Sequence, residues 1–379
     1  MKKFLVVVAF ALVAMFAFAA CGQPAAETPS AEAPAESSEA PVESSEAPVE
    51  SSEAPSEEPS EAPSEEAASG GNDIAALSAE WGFTEEMMNL INPETGEQWK
   101  IGIANMGTTS EYGNKLATAY QTYADSLGLK IDLVNAEFDT NTQLGQMDTL
   151  IANGVDIILM TPVDASAMTN PLEAAAEAGI PVICVNTMVD DPTLAECYVG
   201  SDDIEVGENV ATWLFEEMGG EGGIVILKGV LGMSSEVNRT TGIEQALANY
   251  PNIEVLADKT GNWNRDEGML TMENWIQSFG SDIKGVLAEN DEMAIGATSA
   301  LQAAGMDQDV LVVGVDGLQD ALPLIEEGAM NCTYLQDATM QGQVGIQVAL
   351  RKLNGGDLID AYNVPWAIIT KENVADFYA

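Results

Sequence analysis

The chain has 379 residues, room for one or two domains with sizeable cores. Its 61 acidic residues outnumber 13 basic ones, a formal charge of −48. That argues against nucleic acid or an anionic membrane surface as partner, since both demand clustered Lys and Arg, and the complete lack of His excludes Ser-His-Asp triads, Cys-His pairs and His-ligated metals together.

Residues 1–20 read as a signal peptide. Lys2 and Lys3 precede an apolar run, Phe4–Ala20, that ends on small residues before Cys21. A transmembrane helix is the competing reading, but the run is short for one and no basic flank follows it. Phe18-Ala19-Ala20-Cys21 resembles a bacterial lipobox, with Phe18 where Leu is usual. The resemblance implies cleavage before Cys21 and a lipid on that residue, anchoring the protein to the outer face of the cell membrane. Residues 21–72 are almost entirely Pro, Glu, Ser and Ala, and the unit APVESSE recurs at Ala40–Glu46 and Ala47–Glu53. Pro in each unit forbids a helix, so the heptad spacing does not signal a coiled coil. The composition predicts a disordered, self-repelling tether, on the order of 150 Å long if fully extended at roughly 3.1 Å per residue. Only 14 of the 61 acidic residues precede residue 74, so the acidity belongs mainly to the folded part, where it favours solubility. Residues 73–98 read as an N-terminal extension, with one or two short helices around Trp81 and Met87-Met88.

From Trp99 onward strands alternate with helices. Strands are expected over Lys100–Asn105, Lys130–Val134, Asp156–Met160, Pro181–Val185 and Glu196–Val199, with helices over Tyr112–Leu127, Thr142–Asn153 and Ala165–Ala178 between them. A second run follows. Its helices are Glu205–Met218, Glu236–Tyr250, Arg265–Phe279, Met293–Ala304 and Leu318–Glu326, and its strands Gly223–Leu227, Ile253–Ala257, Lys284–Ala288, Val310–Val315 and Asn331–Leu335. A helix over Met340–Leu353 and a terminal strand near Asn363–Ile369 close the chain. Such alternation means βαβ units and parallel sheets. Two runs, before and after about Asp202, give an α/β protein of two doubly wound parallel-sheet lobes.

The stretch Lys284–Gly317 shows where a ligand would sit. The strand ending at Ala288 leads into Glu289-Asn290-Asp291-Glu292, and the β-branched run Val310–Val315 ends on Asp316-Gly317. Asn290 and Asp316 thus come to the carboxyl ends of two strands, on the edge where open α/β sheets bind ligands. Both also precede helices, so both are cap candidates. Asp139 and Asp202 read as caps, and Gly200 and Gly314 as turn or close-packing glycines.

Several segments stand in a telling order: KIGIAN, GVDIILMTPVDASAMTNPLEAAAEAGIPVICVN, YVGSDDIEVGENVA, GMSSEVNRTTG, NWNRDEG, NDEMAIGA with GVDG, and TYLQDATMQG. Together they resemble the type I periplasmic sugar-binding proteins, the ribose- and galactose-binding group, over roughly Trp99 to Ile369. The lactose-repressor family shares the fold but needs an N-terminal helix-turn-helix, where this chain has its leader and acidic tether. The resemblance implies two lobes joined by a hinge and crossed more than once. Lobe 1 would be 99–202, completed by about 337–362, and lobe 2 would be 203–336, with about 363–379. It also implies a monomer that presents its closed, ligand-bound form to the permease subunits of an ABC importer. The alternative is a sensor component that presents the same form to a chemoreceptor or kinase.

Residue by residue, the resemblance assigns ligand contacts. Tyr112, in TTSEYG, and Trp263, in GNWNR, match aromatics that pack on sugar-ring faces; ordinary packing is the bland alternative for each. Arg239, in EVNRTTG, matches an arginine that donates to sugar hydroxyls; otherwise it is a helix-surface Arg. Asn290, Asp316 and, in YLQD, Gln336 match polar ligand contacts. Asn186 and Thr187 stand where many sugar-binding members carry Asp-Arg, which replaces a charged pair by a neutral one and admits a less hydroxylated sugar or a polyol. Arg239→Ala and Asp316→Ala are each expected to abolish binding with little change in apo unfolding. No cofactor or metal is implied. An enzyme is disfavoured, because no catalytic constellation is visible: Glu289 and Asp316 could pair as carboxylates, but a glycosidase needs two at a defined separation on one cleft. Cys184 and Cys332 read as buried hydrophobes, and a Cys184–Cys197 disulfide is open for an exported protein.

Overall fold

The computed structural model describes residues 74–378. The expected leader, the expected lipid acceptor Cys21 and the expected tether over 21–72 lie outside the described residues. Among the described residues no helix is long and apolar enough to cross a membrane.

A short helix, α1 (Ile74–Glu80), is followed by β1 (Ile101–Asn105), α2 (Glu111–Leu127), β2 (Ile131–Asn135), α3 (Thr140–Asn153), β3 (Ile157–Met160), α4 (Thr169–Glu177), β4 (Val182–Val185) and β5 (Tyr198–Gly200). The second run comprises α5 (Asp203–Glu217), β6 (Glu221–Lys228), α6 (Ser234–Leu247), β7 (Asn252–Thr260), α7 (Arg265–Phe279), β8 (Ile283–Ala288), α8 (Asp291–Ala304), β9 (Leu311–Asp316), α9 (Leu322–Glu327) and β10 (Cys332–Leu335). Then come α10 (Ala338–Leu353), β11 (Ala361–Asn363) and β12 (Ala367–Thr370).

The strands form two six-stranded sheets, ordered β11-β5-β4-β3-β1-β2 and β12-β10-β9-β8-β6-β7. Every pairing is parallel except β10 with β12. Helices cover both faces, so the strands bury continuous apolar runs: Ile101, Ile103, Leu159 and Ile183 in one sheet, Val225, Leu227, Val286 and Val312 in the other. In each sheet the chain reverses direction of winding beside β1 or β6, and ligand crevices form at such switch points. The chain passes between sheets three times, after β5, after β10 and between β11 and β12.

Three expected elements differ, each for a local reason. The helix expected from Ala165 begins at Thr169, because Asp164 Oδ1 accepts from the Ser166 and Ala167 N–H groups and makes a turn there. The helix expected from Leu318 begins at Leu322, because the Ala321 N–H donates to the Leu318 carbonyl at 2.9 Å in a tight turn and Pro323 has no N–H to continue a helix back to Gln319. The terminal strand near 363–369 is two strands, since Pro365, with no N–H to donate to a ladder, separates β11 in one sheet from β12 in the other.

The N-terminal extension packs on α10. Ser78 Oγ donates to Gln347 Oε1 at 2.8 Å, Arg351 Nη1 donates to the Trp81 carbonyl at 2.6 Å, and Trp81 meets Tyr362 edge-on. Asp139 and Asp202 cap α3 and α5 through their Oδ1 atoms. Gly314 packs so closely that a Cβ there would lie 2.3 Å from Asp291 Oδ1. Cys184, on β4, and Cys197, just before β5, are buried free thiols whose side chains enter different core clusters, so the open disulfide is not formed here.

Candidate functional site

The two switch points face each other across one cleft. Around the first sheet, Phe138 follows β2, Asn186 follows β4 and Tyr112 sits in the first turn of α2; around the second, Trp263, Asn290 and Asp316 lie at or after strand ends, Arg239 sits on α6 and Gln336 lies just beyond β10. All seven residues expected at the site from the sequence line this one cavity. Sequence reasoning missed Phe138, Met106, Ser110, Met233 and Ser235, which line it too. Phe138 carried a usable signal: like Trp263, it is a lone aromatic in a polar turn after a strand.

The cavity is tight, about 40 Å³, against roughly 300–1,000 Å³ for most drug-sized sites. It opens onto a mouth of about 530 Å³ shared by Ser110, Phe138 and Trp263. The lobes also touch directly. The Met188 N–H donates to Ser234 Oγ at 2.7 Å, the Ala165 N–H to the Gly232 carbonyl at 3.1 Å, and the Gln319 N–H to Glu111 Oε1 at 3.2 Å.

Backbone strain is concentrated here. Among the described residues six non-glycine residues have positive φ: Glu137, Phe138, Asn186, Asn262, Trp263 and Asp316. Four of these line the cavity, and Glu137 and Asn262 precede two of them. Such conformations cost of order 1–3 kcal/mol each and persist where the surroundings over-determine them.

Each polar group is aimed by protein partners. Asn290 caps α8, accepting the Met293 N–H on Oδ1 at 3.1 Å, which leaves its Nδ2 toward the cavity. It is both a cap and a cavity group. Arg239, 3 % exposed, donates from Nε and Nη2 to Asp203 Oδ1, both at 2.9 Å, and from Nη1 to the Glu289 carbonyl. Three of its five N–H groups are so fixed, and two remain. Its guanidinium lies 5.6 Å from the Trp263 ring centroid. Arg239 is therefore buried and ion-paired, not a surface residue. Trp263 donates from Nε1 to Met233 Sδ at 3.1 Å and lies flat over Gly229, where a Cβ would come within 1.9 Å of the ring. Tyr112 is buried, with its hydroxyl donating to Gln341 Oε1 at 2.9 Å.

Buried carboxyls surround the one guanidinium. Burial pushes Asp316 well above the usual carboxylate range, with Arg239 opposing. Burial raises Glu289 to about 8, though it accepts from the Gly229 N–H and the Thr240 hydroxyl. Burial likewise raises Asp291 to about 7 against hydrogen bonds from Leu318 and Thr333. Among the described residues Asp316 has one protein donor, Gln336 Nε2 at 3.4 Å, so it is largely open to the cavity. The arrangement gives apolar walls, a carboxyl, three amides and a guanidinium. That set suits a small molecule with C–H faces and many hydroxyls.

The sequence model described as the periplasmic binding protein domain matches residues 101–357. The chain belongs to the type I periplasmic sugar-binding protein family. It is 41% identical over 253 residues to the xylitol-binding protein of Mycolicibacterium smegmatis, covering 67% of this chain and 72% of that protein. It is 28% identical to the ribose import binding protein of Bacillus subtilis, covering 74% and 90% respectively. Among solved structures, an ABC transporter solute-binding protein from Bacillus halodurans C-125 with bound myo-inositol superposes with a TM-score of 0.71 at 33% identity, covering 74% of this chain and 98% of that one. Members of this family are solute-binding proteins and not enzymes. The periplasmic-binding-protein architecture thus accounts for the two matching sheets and the cleft between them.

Proposed function

We propose that this protein is the extracytoplasmic substrate-binding component of an ABC importer for a monosaccharide or polyol held in the interlobe cavity. One observation carries the reading: elements of both lobes bring Tyr112, Asn186, Arg239, Trp263, Asn290, Asp316 and Gln336 to one cavity. A ligand touching both lobes favours the closed form, because only differential contact shifts such an equilibrium. Hinge closure of periplasmic binding proteins is itself a standard example of such motion.

Asn186 lines the cavity as a neutral amide, whereas Thr187 turns its hydroxyl to the Pro162 carbonyl and does not, so no basic group stands at that place and a polyol or cyclitol is admitted. The relatives named for xylitol and solved with myo-inositol support the same class. The reading includes a lipid on Cys21, a tether that holds the module off the membrane, a monomeric state and docking on permease subunits. Neither nucleic acid nor a cofactor has a part in it.

Thermal-shift screening with xylitol, ribitol, myo-inositol and D-ribose tests the ligand class, since a ligand at 100 times its Kd adds about 2.7 kcal/mol of stability. A shift with one or more is expected; none from any of them, or from other monosaccharides, overturns the reading. Membrane retention lost on Cys21→Ser tests the anchor.

A further inference from the structure

Gln341, on α10, is fully buried behind the cavity and does not line it. All its amide positions are engaged. Its Oε1 accepts from the Tyr112 hydroxyl at 2.9 Å, and Asn186 Nδ2 lies 3.3 Å from the same oxygen. Its Nε2 donates to Gln336 Oε1 at 3.2 Å and Ser201 Oγ at 3.4 Å. The direction of these bonds propagates. Gln336 Oε1 accepts from both Gln341 and Asn186 Nδ2, the latter at 2.6 Å, so its Nε2 is turned to Asp316. Both N–H bonds of Asn186 are spent on Tyr112, at 3.0 Å, and Gln336. Asn186 Oδ1 is left with no protein donor among the described residues, in a side chain that lines the cavity.

We propose that Gln341 is a positioning residue that sets the hydrogen-bond polarity of the ligand site. It locks the Gln336 and Asn186 amides so that Asn186 offers an acceptor, not a donor. An amide's orientation is decided by its network, and outer partners of this kind orient the groups that touch a ligand. At Asn186 the site therefore demands a hydroxyl donor from the ligand and penalises an acceptor-only oxygen or fluorine there. The inference rests on the polyhydroxy-ligand reading above.

The variant Gln341→Glu weakens the relay. A carboxyl buried there holds its proton, as Glu289 does, so one O–H replaces two amide N–H bonds and either Gln336 Oε1 or Ser201 Oγ loses its donor. Gln341→Met, uncharged and nearly isosteric, unlocks both amides instead. The test is calorimetric titration of wild type and both variants with xylitol, D-ribose and singly deoxyfluorinated derivatives of each, after apo circular dichroism shows folding. In wild type at least one fluorinated position is expected to lose tenfold or more in affinity, and the loss is expected to fall below threefold in a folded Gln341 variant. A merely structural role would weaken parent and derivative equally. An unchanged penalty in the variants, or no tenfold penalty in wild type, overturns the relay while binding of the parent ligand still stands. Wild type that binds no monosaccharide or polyol overturns the function and the relay together.

Discussion

Arg239 and Asp316 both face the ligand site, but the fold depends on them differently. Arg239 is clamped to buried Asp203, so Arg239→Ala strands a buried carboxylate and is expected to cost about 3–5 kcal/mol of stability besides binding. The sequence suggested a stability-neutral change there, because nothing in EVNRTTG shows that Asp203, 36 positions away, is its partner. Asp316 has one long protein bond, positive φ and the like-charged Asp203, Asp291 and Glu292 nearby. Asp316→Asn is therefore expected to weaken binding more than 100-fold and leave apo thermal unfolding unchanged or higher. Lower apo stability would contradict the assignment. Glu289 gives a pH test. Its carboxyl holds a proton up to about 8 in the fold, against about 4.5 unfolded, so its contribution is fully present below 4.5 and is lost as pH rises through 8. Apo stability measured from pH 5 to 9 is expected to fall across that window, and Glu289→Gln, whose carbonyl can still accept the Gly229 N–H, is expected to flatten the fall.

At the scale of elements, most strands and helices were readable from periodicity, and the misses came from partners far along the chain. Asp291 fixes the start of the turn before α9 by accepting the Leu318 N–H, and no local pattern announces that partner. Pro365 was visible, yet that the strands on either side of it join different sheets was not. Positions at strand ends were legible because the α/β edge rule names them, which is why Asn290 and Asp316 could be singled out; Phe138 obeys the same rule and went unread. Helix α8 separates its two uses of Asn290. Asn290→Ser keeps an N-cap oxygen and removes the amide donor, so it is expected to hold stability within about 0.5 kcal/mol while lowering affinity. Asn290→Ala loses both and is expected to cost about 1 kcal/mol in chemical denaturation. Equal affinity in the Ser variant and wild type would leave Asn290 only a cap.

Across the whole molecule, two lobes share one connected polar system. The Tyr112, Asn186, Gln341 and Gln336 relay runs from the first lobe through residues beside two chain crossings to Asp316 in the second. Direct bonds such as Met188 N–H to Ser234 Oγ add to closure without touching the cavity. Ser234→Ala is expected to weaken ligand binding three- to tenfold and to raise the radius of gyration of the ligand-bound protein in small-angle scattering. Unchanged values of both would remove that contact from closure.

Isothermal titration of the mature protein with xylitol, myo-inositol and D-ribose, run in parallel on wild type and Asp316→Asn, reaches the claim on which function depends. Saturable one-to-one binding of one or more of these by wild type, lost in the variant, is the predicted result. Wild-type affinity surviving in Asp316→Asn would place the ligand elsewhere and contradict the account.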